Sequence, residues 1–159
     1  MCTCCYLETR EAGENPWSSL KNTYEIKKRA GTIVLDYKNK KILIVQTYGS
    51  VWGPPKGSVD KNESFVSCAI RETQEETGLF LSKKELNLSK KLFDDSTWYY
   101  TVKADKYRND ICLKSITSNE VTGIGWVCLS CLDQLIEQKK TNSHLNKLRN
   151  YIHKKLEIN

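Results

Sequence analysis

Glu72, Glu75 and Glu76 stand in the run RETQEETG at i, i+3 and i+4, the spacing that gathers side chains on one face of an α-helix. Like charges so placed weaken a helix unless something neutralises them. Hard divalent cations such as Mg²⁺ take carboxylate oxygens together with substrate phosphates, so the chemistry this trio suits is metal-assisted attack on a phosphate chain. The competing reading is a solvated acidic face, the usual fate of charge clusters. Two neighbours favour the metal. The carboxylates adjoin an apolar stripe, and a proline-glycine loop carrying Lys56, PPKG, leads into the same helix.

The helix that must hold the trio runs from about Glu63 to Thr77, with Val66, Ala69, Ile70 and Thr73 as its buried stripe. Asn62 or Asp60 can cap its start, and Gly78 stops it. Upstream, RAGTIVLDY and KILIVQTY predict two strands joined through the polar KNK. Trp52 to Ser58 reads as loop, because Pro54 and Pro55 suit neither a helix interior nor a central strand. KKLFDD, STWYYTVKA and GIGWVCLS read as further strands, and the chain from about Leu132 as one or two helices. This is a mixed α/β pattern without internal repeats.

At 159 residues there is room for one compact domain. We expect residues 1–23 to be a loosely ordered extension, 24–136 the domain, and 137–159 a basic helix. Hydrophobic residues at 39% and charged residues at 28% argue against wholesale disorder. No apolar run is long enough to span a bilayer. The opening MCTCCYLETREAGENPW lacks the basic flank and apolar core of a secretory signal, so a cytoplasmic setting is expected, with the nucleus left open. There thiols stay reduced, and seven cysteines, an odd number, do not suggest a disulfide framework. Cys128 and Cys131 form CxxC, and Cys2, Cys4 and Cys5 crowd the start, which raises zinc. Packing accounts for the CxxC spacing more simply, with free cysteine as a small apolar residue, and His144 and His153 are expected to be solvated. The net charge of +6 favours polyanionic partners, and much of it lies in KKTNSHLNKLRNYIHKKL.

Gly57, Glu63, Arg71, Glu72, Glu75, Glu76, Gly78 and Leu79 fit the pattern G-x5-E-x7-R-E-U-x-E-E-x-G-U. This resembles the Nudix box of the Nudix hydrolase superfamily; Thr73 departs from the apolar slot after the first glutamate. The resemblance implies an α/β/α sandwich with a mixed sheet, and pyrophosphohydrolysis with Mg²⁺ or Mn²⁺. It implies Glu72, Glu75 and Glu76 as metal ligands, completed by the carbonyl of Lys56 or Gly57. Glu72 is then a candidate base, Glu63 and Arg71 a pair that positions the helix, and the Lys56 side chain a phosphate contact. Glu120, ahead of the last strand, looks like the distal acid found in many such proteins.

For substrate, two resemblances compete. GTIVLDYKNKKILIVQ followed by WGPPKGSVDKNESFVSCAIRETQEETG is similar to the catalytic domain of mRNA-decapping enzymes, and WxPPKG with RETQEE is similar to dinucleoside tetraphosphate hydrolases. Decapping draws support from the C-terminal helix. Leu145, Leu148 and Ile152 line one side, and Lys147, Arg149, Lys154 and Lys155 surround them as candidate contacts to an RNA body. The bland alternative is a helix packed on the sheet with solvated lysines. Trp52, Trp98, Tyr99 and Tyr100 are candidates to stack a base, with Trp52 the choice nearest the loop. A protein activator is a further expected partner, and a non-catalytic nucleotide-binding module is the least favoured reading, since all three helix carboxylates are present.

Overall fold

A computed structural model describes residues 2–13, 27–92, 96–104, 111–113, 116 and 118–157, with the backbone alone for 88–92. β2 (Arg29–Asp36) and β3 (Lys41–Thr47) form the antiparallel pair expected, with Leu35 opposite Ile42. Their turn is held by the Asp36 carboxylate, which accepts from the Asn39 backbone N–H at 2.9 Å and its Nδ2 at 2.7 Å. Both strands are buried on both faces, which is why each reads as a nearly continuous apolar run rather than an alternating one.

Ile33, Leu35, Ile42 and Ile44 point to a core beneath α2 (Leu129–Glu137) and α3 (Ser143–Glu157). Val34, Leu43 and Val45 face the other way, toward Leu79, Ile124 and Trp126, on the side covered by α1 (Phe65–Thr77). Helices on both faces make the expected α/β/α sandwich. The sheet runs β1-β8-β3-β2-β7-β6, where β1 is Tyr6–Thr9, β6 Asn87–Leu92, β7 Thr97–Lys103 and β8 Val121–Cys128. It is mixed, since β2 and β7 are parallel from Arg29 opposite Thr97 to Leu35 opposite Lys103, and its other pairings are antiparallel.

The structure revises the expectations at several points. The segment taken as loop holds two short strands, β4 (Trp52–Gly53) on β3 and β5 (Lys56–Ser58) on β2. Pro54 and Pro55 interrupt the pairing only at their own positions. The amino-terminal extension contributes β1, paired with β8 from Tyr6 opposite Trp126 to Thr9 opposite Gly123. Gly125 permits this approach, because a Cβ there would meet the Tyr6 carbonyl at 2.0 Å. Residues 1 and 14–23 of that extension, the following 24–26, and 93–95 of the run KKLFDD lie outside the described residues. α3 is part of the same core, for Leu145, Leu148, Ile152 and Leu156 are fully buried among the residues beneath α2. His144 is buried too, at 9% exposure, rather than solvated. His153 is half-buried against Asp133, with Nε2 at 3.0 Å. The cysteines do not serve packing alone: Cys2, Cys4, Cys5 and Cys128 converge with all four sulfurs within 4.8 Å of one another.

Candidate active site

α1 begins at Ser64, whose hydroxyl accepts from the Ser67 N–H at 3.1 Å, so the cap is Ser64 and not Asn62 or Asp60. It ends at Gly78 in the left-handed conformation, φ 75°, where the glycine N–H donates to the Gln74 carbonyl. Ala69 and Thr73 are fully buried, while Val66 and Ile70 are half-buried. Thr73 stands where an apolar residue is expected, and its hydroxyl shows why it is tolerated. It lies 2.7 Å from the Thr32 hydroxyl of β2 and donates to the Ala69 carbonyl at 2.6 Å, so no buried polar group is orphaned.

Arg71 organises the acidic face. Its Nε and Nη2 donate to the two oxygens of Glu63, each at 2.9 Å, and its Nη1 reaches Glu72 at 2.8 Å and Glu75 at 3.1 Å. Nη2 also holds the Ser58 carbonyl of β5 at 3.0 Å, fixing the loop to the helix. The Arg71 guanidinium drives the Glu63 carboxyl down to about 2.

Gly57 is where it is because Glu72 needs the space. A Cβ on Gly57 would lie 2.0 Å from the Glu72 carboxyl carbon, so that carboxylate rests directly on the loop backbone. Gly31 does the same for the other arm of the loop, since a Cβ there would meet the Pro55 carbonyl at 2.1 Å. That carbonyl accepts from the Thr32 N–H at 3.0 Å. Glu76, 7% exposed, accepts from the Lys56 backbone N–H at 2.8 Å. Burial pushes its carboxyl up to about 8 against the pull of the Lys56 charge. Burial also raises Glu72, which Arg71 opposes, and lowers the Lys56 ammonium, which Glu76 opposes. Glu120, exposed in the turn before β8, acts electrostatically on Glu72, Glu76 and Lys56, so its charge is felt in the same site.

The structure therefore brings together Lys56, Gly57, Glu63, Arg71, Glu72, Glu75 and Glu76, with Glu120 at the rim. It does not bring Trp52 there. Trp52 is 6% exposed in the core under α2 and α3, on the opposite side of the sheet from α1, so it presents no face to stack a base. Tyr99 and Tyr100 are buried as well; Trp98 keeps some exposure and packs on Phe65 with ring centres 5.5 Å apart. His144, expected to be solvated, is buried instead. Its Nδ1 lies 2.8 Å from the Tyr99 hydroxyl, and burial, then the charges of Lys56 and Arg29, bring it down to about 4. The signal was present, because His144 precedes Leu148 by four residues and so continues the buried stripe of α3.

The donor set fits a divalent cation. Glu72, Glu75 and Glu76 supply hard carboxylate oxygens from one helical turn and would hold the ion. Glu72 is seated in a cradle that any side chain at position 57 would fill. Two of the three carboxylates are pushed toward the neutral form by desolvation, a state a cation relieves. The Gly57 carbonyl, the other expected ligand, faces the Cys68 thiol at 3.7 Å.

Known proteins carry the same frame. Putative hydrolase 111R of Invertebrate iridescent virus 3 is 32% identical over 130 residues, 80% of this chain and 75% of that protein. mRNA decapping complex subunit 2 of Schizosaccharomyces pombe is 46% identical over 56 residues, 34% of this chain but only 8% of that protein's length. A crystal structure of a C. elegans Ap4A hydrolase binary complex superimposes with a TM-score of 0.58 at 26% identity, covering 79% of this chain and 98% of the other. The NUDIX domain model matches residues 26–148, from before β2 to the middle of α3, and the chain thus belongs to the Nudix family, as a hydrolase of pyrophosphate bonds.

Proposed function

We propose that this chain is a Mg²⁺- or Mn²⁺-dependent pyrophosphohydrolase of capped mRNA, releasing a capped nucleoside diphosphate and RNA with a 5′-monophosphate. The observation that carries this reading is the course of α3. Its start is fastened to the loop strands: the Trp52 N–H donates to the Lys140 carbonyl at 2.9 Å, and the Asn142 N–H to the Trp52 carbonyl at 2.8 Å. Lys56, Arg29 and Lys147 all act on His144, so Lys147 continues the positive field of the site. Fifteen helical residues then span about 22 Å. At the far end Lys154 and Lys155 are exposed, and Lys155 lines a surface hollow with Tyr37, Thr101 and Lys103. In this reading an RNA body leaving Lys56 would meet this row, whereas the charged part of a dinucleotide, its short phosphate chain, would stay at Lys56. Arg149 is the weakest candidate for RNA, since its Nε is committed to Asp133 at 2.7 Å.

The bound ion would offset the charge of the phosphate chain and activate the attacking water. Arg71 and Glu63 hold Glu72 in place, Lys56 takes a phosphate oxygen, and Glu72 or Glu120 receives the proton of the water. The setting is cytoplasmic, with a protein activator as partner. No helix among the described residues is long and apolar enough to cross a membrane. A dinucleoside tetraphosphate is the second substrate reading, favoured by the C. elegans Ap4A hydrolase, nearly all of which this chain overlays.

Side-by-side turnover of capped RNA and diadenosine tetraphosphate tests the choice. Capped RNA should be the better substrate, and the double variant Lys154→Glu/Lys155→Glu should lower its turnover at least about tenfold while sparing the dinucleotide. The salt slope of RNA binding should fall by about 0.7 for each phosphate that no longer meets a lysine. A clear preference for the dinucleotide, or equal losses on both substrates, refutes the RNA reading. Converting Glu75 and Glu76 to Gln should remove metal-dependent turnover of either substrate, with a loss of at least about 10²-fold and an unchanged circular dichroism spectrum.

A further inference from the structure

We propose that Cys2, Cys4, Cys5 and Cys128 bind one zinc ion that fastens the amino-terminal strand to the edge of the sheet, far in sequence from the acidic site and independent of it. Four thiolates around Zn²⁺ at about 2.3 Å place their sulfurs about 3.8 Å apart. Here Cys2 lies 3.5 Å from Cys5 and 3.6 Å from Cys128, Cys5 lies 3.5 Å from Cys128, and Cys4 lies 4.0 Å from Cys5. Cys2 and Cys4, at 2.8 Å, are closer than the tetrahedron needs and part by about 1 Å when it forms. These spacings also exceed the roughly 2.05 Å of a disulfide, and none of the seven cysteines is joined in one.

The fold delivers the ligands. β1 pairs with β8 so that Tyr6 faces Trp126, and continuing that register two places carries Cys4 to Cys128. The surroundings suit a thiolate cluster. The Cys128 N–H donates to the Cys5 sulfur at 3.2 Å, and the Ser130 hydroxyl lies 3.2 Å from the Cys128 sulfur. The Lys41 ammonium, 4% exposed, donates to the Cys4 carbonyl. A zinc ion with four thiolates carries two negative charges, and Lys41 sets a positive one beside them. Cys2 and Cys4 are exposed, which gives the ion an entry path, and binding releases the thiol protons to solvent. Cys131 is adjacent but buried in the core, where its sulfur accepts the Cys2 N–H at 3.4 Å. A mononuclear ion fits; an iron–sulfur cluster needs its cysteine sulfurs farther apart than these. β1 is a four-residue edge strand held by its ladder with β8 and by Arg10 at its far end, and a metal clip would anchor its start.

The test is metal analysis of the full chain, purified under reducing conditions without chelator and washed with Mg²⁺. One zinc per chain is expected, with Co²⁺ reconstitution giving the thiolate charge-transfer band and the visible bands of a tetrahedral site. Cys4→Ser and Cys128→Ser should each lower zinc to below about a tenth of an equivalent, with far-UV circular dichroism showing that the fold persists. Cys112→Ser and the Glu75→Gln/Glu76→Gln double variant should keep the ion, which separates this site from the acidic one. Absence of zinc and of cobalt bands in the unmodified chain overturns the proposal, as does an iron chromophore or a disulfide seen as a two-hydrogen mass deficit. Loss of zinc in Cys131→Ser but not in Cys4→Ser overturns the assignment of Cys4.

Discussion

Replacing Gly57 by alanine should separate the site from the fold. A Cβ at that position would lie 2.0 Å from the Glu72 carboxyl carbon and 2.1 Å from each of its oxygens. Carbon contacts settle at about 3.5 Å, so the carboxylate must withdraw by about 1.5 Å. The fold can absorb this. Gly57 does not occupy the left-handed region, unlike Gly49 and Gly78, so alanine fits its backbone, and the group that must move is the free end of a flexible side chain. A stability change within about 1 kcal/mol follows, or a shift in Tm of about 2–4 °C for a chain of this size. The chemistry cannot absorb it. Misplacing a catalytic group by about 1 Å costs about 10²-fold, equivalent to about 2.7 kcal/mol of barrier, and the same movement breaks the 2.8 Å bond from Arg71 to Glu72. The assay is kcat/KM on a pyrophosphate substrate at saturating Mg²⁺, with a metal titration and a thermal melt on the same sample. Gly13→Ala serves as control, since nothing lies within 4 Å of a Cβ there. Full activity in Gly57→Ala would falsify the placement of Glu72 as a working residue, and a loss that merely tracks unfolding would show the glycine to be structural.

Two further outcomes follow from the charged groups. Glu63 sits at about 2 in the folded chain, below its ordinary 4.5, so its pairing with Arg71 stabilises the protein above pH 4.5, and that stabilisation is lost as pH falls toward 2. Arg71→Ala should therefore cost about 2 kcal/mol at pH 7 in urea unfolding, discounted for the partial exposure of the arginine, with a smaller gap from the unmodified chain at pH 3. His144 is held neutral, at about 4 against 6.5, so the unfolded chain binds the extra proton; stability is complete above pH 6.5 and falls by up to about 3 kcal/mol as pH drops to 4. His144→Gln should flatten the unfolding free energy over that window, and an unchanged slope would place the titration elsewhere.

Much of the architecture was legible where pattern and burial agree. β2, β3 and α1 follow from apolar runs and one helical stripe, because burial on two faces or on one stripe leaves a direct mark on composition. The box residues were legible through their resemblance to the Nudix box, and the structure adds the constraint behind them: missing volume at Gly57, a five-donor fork at Arg71 and hard oxygens on the glutamates. What pattern could not supply was pairing across long separations. The β1–β8 register joins Tyr6 to Trp126, and nothing local in MCTCCYLET announces that partner, so the cysteines of the two ends read as unrelated. Trp52 was misread for a related cause. Its neighbourhood in sequence is the proline-glycine loop of the candidate site, whereas its ring turns to the far side of the sheet, toward Gly123 and the core under α3.

The reason a basic chain carries an acidic helix also changes once the side chains are placed. From spacing alone, repulsion among Glu72, Glu75 and Glu76 demands a metal. The structure shows that Arg71 already offsets part of it, touching Glu63, Glu72 and Glu75 at once. A metal is still called for by what Arg71 leaves over. Fully ionised, Glu63, Glu72, Glu75 and Glu76 bring four negative charges against the two positive ones of Arg71 and Lys56, an excess of two before Glu120 at the rim and Asp60 beside Arg71 are counted, so the site attracts a divalent cation. That remainder is concentrated at the most desolvated members, Glu72 and Glu76, where low dielectric magnifies it, rather than at the exposed edge where water would screen it. Arg71 thus acts as a scaffold that fixes the carboxylates before any ion arrives. Under the proposed function the two charge patterns would have different work: the acidic one would select a cation, and the basic one what that cation is brought against.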